Sequence, residues 1–201
     1  MSNRTFPPDV HDESWCRLEL VKREDLTDGA KPIFDEHHDP DGDSHAGMQG
    51  PGGVRLHSPR LAELSRPAAR YLRHETGLSP RIREVAILTS AREHDSQFEW
   101  QQHERVGLRE GVPPETIDVI KRRKPVDGLD ETDALVIEIG RQLFREHKLS
   151  SDLFASAREI FGEQKLIDLL ANMGTYAATA ILLAAVDMQV PLDEEILLPV
   201  P

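Results

Sequence analysis

From residue 58 onward, apolar residues recur at spacings of three and four between proline, glycine and serine punctuation, a period that suits helices and little else. Leu61, Leu64, Ala68 and Leu72 form the first stripe behind Pro59, with a kink expected at Pro67. A second helix is expected over 80–92, with Ile82, Val85, Ala86 and Thr89 on one face, and a third over 96–110, stopped by Gly111. Pro113 and Pro114 open a short helix carrying Ile117 and Ile120, and Asp130 or Thr132 opens another through residue 147 with Leu135, Ile139 and Leu143 repeating. Ser150 or Ser151 starts the next, ended by Gly162, and a long apolar helix follows over 164–188. No alternating strand, hairpin dipeptide between β-rich runs or internal repeat competes with this pattern, so the fold class read from the sequence is all-α.

Residues 1–55 have a different texture. A short helix is expected over 24–36 on the apolar edge of Leu26, Ala30 and either Ile33 or Phe34, weakened by Gly29 and Pro32, and 37–53 (HHDPDGDSHAGMQGPGG) should be loop. At 201 residues and 22.6 kDa, the chain suits one core with an extension. The expected division is an irregular extension over 1–55 and a helical domain over 56–195.

A net charge of -12 disfavours wrapping nucleic acid, which requires clustered Lys and Arg. The polar opening over 1–8 has no leader pattern, which makes cytoplasm the expected location. The apolar run over 166–190 is interrupted by Asp168, Asn172 and Asp187, leaving less than the roughly 20 residues a bilayer needs. A buried or interfacial helix is expected there, with no membrane partner.

The chemistry-bearing stretch is 83–111, REVAILTSAREHDSQFEWQQHERVGLREG. Ser96, Glu99 and His103 stand at i, i+3 and i+7, on one helical stripe, and a turn near 93–95 brings the preceding helix and Glu84 back toward them. Two carboxylates and an imidazole form an acid–base set, with one carboxylate able to support a protonated His103. The same residues carry a structural reading: Ser96-Gln97-Phe98-Glu99 fits the S-x-x-E capping box, and Glu84 can pair with Arg81 on a wet face. Phe98 and Trp100 stand either as apolar pocket walls or as ordinary core aromatics. Glu99 and His103, four apart, with Glu84 as a third ligand, also suggest a metal site. His37, His38, Asp39, Asp41, Asp43 and His45 form an acidic loop read as solvated, since the twelve-position calcium pattern is absent.

The series Glu84, Ser96, Glu99, His103, with Trp100 and the closing G-L-R-E-G-V of 107–112, resembles the carboxymuconolactone decarboxylase and alkylhydroperoxidase superfamily. The likeness extends over roughly 20–195, through LHSP at 56–59, RIREVAIL at 81–88 and LLANMGTYAATAILLAA at 169–185. In redox-active relatives the pattern is glutamate, C-x-x-C, histidine; here Ser96 and Glu99 occupy the cysteine positions. The resemblance implies an alkylhydroperoxidase-like helical bundle assembling as a homotrimer or homohexamer. It also implies a cofactor-free decarboxylase or related lyase acting on a small carboxylated lactone or ring-cleavage acid of aromatic catabolism. Thiol peroxidase chemistry needs an attacking and a resolving cysteine, and the lone Cys16 cannot supply both. A third possibility within the resemblance is a non-catalytic oligomeric scaffold, since fold does not fix function.

Overall fold

The computed structural model describes residues 4–39 and 46–199, and the fold is all-α. The chain divides into two compact units, one comprising 1–71 and 181–195 and the other 72–180 and 196–201.

In the first unit, a single 3₁₀ turn at Arg23–Asp25 precedes α1 (Lys31–His37), α2 (Pro51–Arg55) and α3 (Pro59–His74), the last running on past residue 71. The helix expected over 24–36 begins only at Lys31, because Pro32 has no N–H to donate and is favoured in a first turn. Leu26, Ala30 and Ile33 are buried as anticipated and join Met48, Leu56 and Ala62 in a small core. The loop expected over 37–53 contains the start of α2. A Cβ at Gly53 would collide with the Met48 carbonyl, so the turn requires glycine there, and one at Gly52 would displace the His37 ring. Leu61 and Leu64, placed on the buried stripe by their spacing, are instead 56% and 61% exposed. The inward register belongs to Ala62, with Glu63 one step on, whose carboxylate accepts from Thr27 Oγ1 at 2.6 Å. Cys16 is buried beside Ser14. Of the acidic loop, residues 40–45, including Asp41, Asp43 and His45, lie outside the described residues.

The second unit is built on α4 (Pro80–Glu93), α5 (Gln97–Arg109), α6 (Pro114–Lys121), α7 (Glu131–Glu146) and α8 (Ser151–Ala185), which runs on past residue 180. Helix α4 is buried around almost its whole circumference from Ile82 to Arg92. It packs against α5, α6 and α7. Near the N-terminal ends, Arg81 Nη1 donates to Asp133 Oδ1 at 2.6 Å and Thr116 Oγ1 to Asp133 Oδ2 at 3.1 Å. Near the C-terminal ends, Arg145 grips Glu93 through two 2.6 Å bonds and Arg123 Nη2 donates to the Arg92 carbonyl at 2.9 Å. These pairings make α4, α6 and α7 run in the same direction. Thr89 of α4 sits so close to Gly140 of α7 that a Cβ there would meet its methyl group at 2.5 Å. The core of this unit gathers Val85, Leu88, Trp100, Ile120, Val136, Ile139, Leu169 and Met173.

Two local devices were legible from residue type. Asp130 caps α7, accepting from the N–H groups of Thr132 at 3.0 Å and Asp133 at 3.3 Å. Gly162 breaks α8 with φ 70° and ψ 169°, a region open essentially to glycine, so the expected helices before and after it are separate runs of 151–161 and 163–185. By length and composition α8 is long and apolar enough to cross a membrane, although 44% of its most apolar window is buried within the structure.

The backbone bonds at Asp130, aided by Arg81, hold its carboxyl below the usual range. Asp130→Ala should therefore cost about 1 kcal/mol at neutral pH. Because the folded-state carboxyl is the more acidic one, that difference should be present above the ordinary carboxylate range and fade as pH falls through the folded value. Urea titrations of both proteins across this range measure it. Gly162→Ala should cost about 1–3 kcal/mol by forcing a side chain into the glycine-only region, and an unchanged denaturation midpoint would contradict the geometry.

Candidate functional site

The second unit folds α5 back onto α4 through a tight turn, and this turn brings Glu84 and His103 together. Asp95 takes a left-handed φ of 49°, and the Ser96 N–H donates to the Ala91 carbonyl at 2.8 Å. Around it, Arg92 pairs with Asp95, whose Oδ1 also accepts from Arg123 Nη2 at 3.0 Å. Burial, with Arg123 alongside, pushes the Arg92 guanidinium below its usual value. From the turn, α5 returns antiparallel to α4. Ser96 lies beside Ala91, His103 meets Glu84, and Gly107 comes so close that a Cβ there would stand 3.2 Å from Leu88 Cδ1.

Glu84 and His103, nineteen residues apart, form a buried pair: His103 Nδ1 lies 2.8 Å from Glu84 Oε2, each residue 7% exposed. A carboxylate in its ionised form only accepts, and against that form the proton of this bond sits on Nδ1. That leaves Nε2 as an acceptor when the ring is neutral and as a donor when it is charged, the two states a proton-transfer group alternates between. Glu99, one turn before His103 on the same stripe, is 3% exposed. The wet-face reading of Glu84 does not hold, since its partner is His103 inside the unit and Arg81 pairs with Asp133 and Asp130.

Ser96 stands at the N-cap of α5, but its side chain makes no capping bond, and its N–H is already engaged by Ala91. The capping-box reading therefore fails for the serine hydroxyl, which makes no bond to the first turn, and the Ala91 carbonyl takes the Ser96 N–H that Glu99 would reach back to in such a box. Trp100 is fully buried in the core; its Nε1 donates to Glu104, and Lys121 Nζ lies 5.8 Å from its ring and 3.0 Å from Glu104. It holds α5 to α6. Phe98 is buried, but five residues before His103 it lies roughly 140° around the helix and faces away from the Glu99–His103 stripe. A cleft of about 190 Å³ between α5 and α6, bordered by Glu104, Leu108, Ile117 and Lys121, includes none of the four acid–base candidates.

One participant escaped the sequence reading. The Tyr176 ring of α8 meets the His103 imidazole edge to face, centroids 5.0 Å apart at 89°. Its signal is present: Asp168, Asn172 and Tyr176 recur at i, i+4 and i+8 through a mostly apolar helix. Among the described residues no group of three or more His, Cys, Asp and Glu side chains is placed to hold a metal ion, so Glu84, Glu99 and His103 do not converge as ligands.

No protein-family model matches the chain, and no curated protein does.

The Glu84 contact fixes a tautomer. Long-range ¹H–¹⁵N correlation spectra of the neutral ring should show His103 protonated at Nδ1, with Glu84→Ala releasing this preference. An Nε2–H tautomer in the unaltered protein would contradict the pairing.

Proposed function

We propose that this chain is a carboxymuconolactone decarboxylase-like lyase working by cofactor-free acid–base chemistry on a small carboxylated lactone or ring-cleavage acid, without thiol peroxidase activity. The observation that carries the reading is the buried Glu84–His103 pair with Glu99 buried one turn away. Such a set is costly to bury and contributes little to stability that apolar side chains would not supply better, which favours a chemical role.

In the reaction, the bond between the ring carbon and its carboxylate breaks and carbon dioxide leaves. The electron pair left behind delocalises through the conjugated double bond onto the lactone carbonyl oxygen as a dienolate. A proton then returns to carbon. Glu84 orients His103 and supports its charged form, His103 delivers the proton or steadies the oxyanion through Nε2, Glu99 exchanges protons as the second acid–base group, and the Ser96 hydroxyl donates to the substrate. The family resemblance further proposes a cytoplasmic homotrimer or homohexamer. An unpartnered stripe on α8 supports self-association: Ile167, 62% exposed, is followed by exposed Ala171, Gly174 and Ala178 at helical spacing. The same stripe is what a non-catalytic scaffold of this fold would need.

The deciding measurement is carbon dioxide release from carboxylated γ-lactones. The unaltered protein should turn over at least one of them, and His103→Ala and Glu99→Gln should each be slower by about 10²–10⁴-fold. Equal rates in His103→Ala and the unaltered protein would remove the assigned role, and no release from any carboxylated lactone would leave the scaffold reading.

A further inference from the structure

Helix α8 presents three distinct stripes between residues 164 and 180. Leu166, Leu169, Met173 and Ala180 enter the core or are buried beside it, and Ile167, Ala171, Gly174 and Ala178 face outward. Between them runs a polar stripe of Asp168, Asn172 and Tyr176, of which Asp168 and Asn172 are buried and Tyr176 contacts His103. Polar side chains on the inner side of an apolar helix are expected to be hydrogen-bonded. Asn172 departs from this: it is 3% exposed, and its Nδ2 amide is buried with no hydrogen-bond partner.

An amide buried without a partner is a standing cost, and a leucine of similar volume would remove it. Asn172 lies one helical turn from Tyr176, on the same face, and so on the side of α8 that meets His103. We infer that Asn172 is a substrate-binding residue, its Nδ2–H donating to a carboxylate or lactone carbonyl oxygen of the ligand held at Glu84, Glu99 and His103. The inference rests on the acid–base reading of that site and adds a recognition group to it. A neutral donor suits the location. The amide N–H donates to an oxygen without exchanging its proton, so proton transfer remains with His103.

The test uses the full chain and, as probe, a butenolide carrying a carboxylate on its saturated ring carbon. Binding is read by calorimetry, carbon dioxide release by a coupled assay, and stability by thermal unfolding without ligand. Asn172→Leu should bind the probe about tenfold or more weakly and show a melting temperature equal to or above that of the unaltered protein. Asn172→Asp, which keeps the shape and adds a charge, should weaken binding further, and it serves if the leucine variant does not fold. Unchanged binding in either variant overturns the inference while leaving the decarboxylase reading to its own assay. A lower melting temperature for a folded Asn172→Leu would also overturn it, because the amide would then be a structural group. Binding by the unaltered protein without carbon dioxide release, lost in Asn172→Leu, would sustain the recognition role and remove this lactone as the substrate. No binding by the unaltered protein would overturn the inference, with the decarboxylase reading left to its own assay.

Discussion

The second unit depends on the burial of α4 on nearly every side. A helix with no wet face leaves any polar residue on it with two options, pairing or exclusion, and each polar side chain of α4 takes the first. Thr89 and Ser90 bond back to the carbonyls four residues earlier, at 2.7 and 2.8 Å. Arg92 pairs with Asp95, and Glu84 with His103. The Glu84–His103 pair is therefore a consequence of packing. A carboxylate placed at the centre of the unit demanded a donor, and the turn at Asp95 and Ser96 delivers α5 in the register that supplies one.

How much of this could be read from the chain follows from which forces are local. Helix starts and stops in the second unit matched their residue types closely, because caps and breakers act over one turn: Asp130, Pro114, Gly111 and Gly162 each did what their own stereochemistry requires. The Ser96–Glu99–His103 stripe was likewise a matter of period. Which of two adjacent registers faces inward was not local. Leu61 and Leu64 had the right spacing, yet Ala62 took the buried position, since a neighbouring segment carrying Thr27 engages Glu63.

The capping box shows the same limit from the other side. Its residues are in place, but the Ser96 N–H that Glu99 would engage goes to the Ala91 carbonyl, an acceptor that only the folded α4–α5 turn brings into reach. Tyr176 is not legible as a partner of His103 because the two meet only through tertiary packing of α8 on α5. Period alone marked Asp168, Asn172 and Tyr176 as a stripe without saying what they faced. The short α2 was hidden for a different reason: Gly52 and Gly53 are poor helix formers, and close packing against His37 and Met48, which needs their missing side chains, is invisible in propensity.

The common direction of α4, α6 and α7 has an electrostatic corollary. Three peptide dipoles aligned side by side repel, gathering partial positive charge at one end of the unit and partial negative charge at the other. The ionised side chains are sorted accordingly. Asp130 and Asp133 outnumber their partner Arg81 where the amino ends meet, while Arg92, Arg123 and Arg145 outnumber their partners Glu93 and Asp95 where the carbonyl ends meet. In a chain that is strongly acidic overall, these arginines counter backbone carbonyls as well as carboxylates, and they belong to the folding of the bundle.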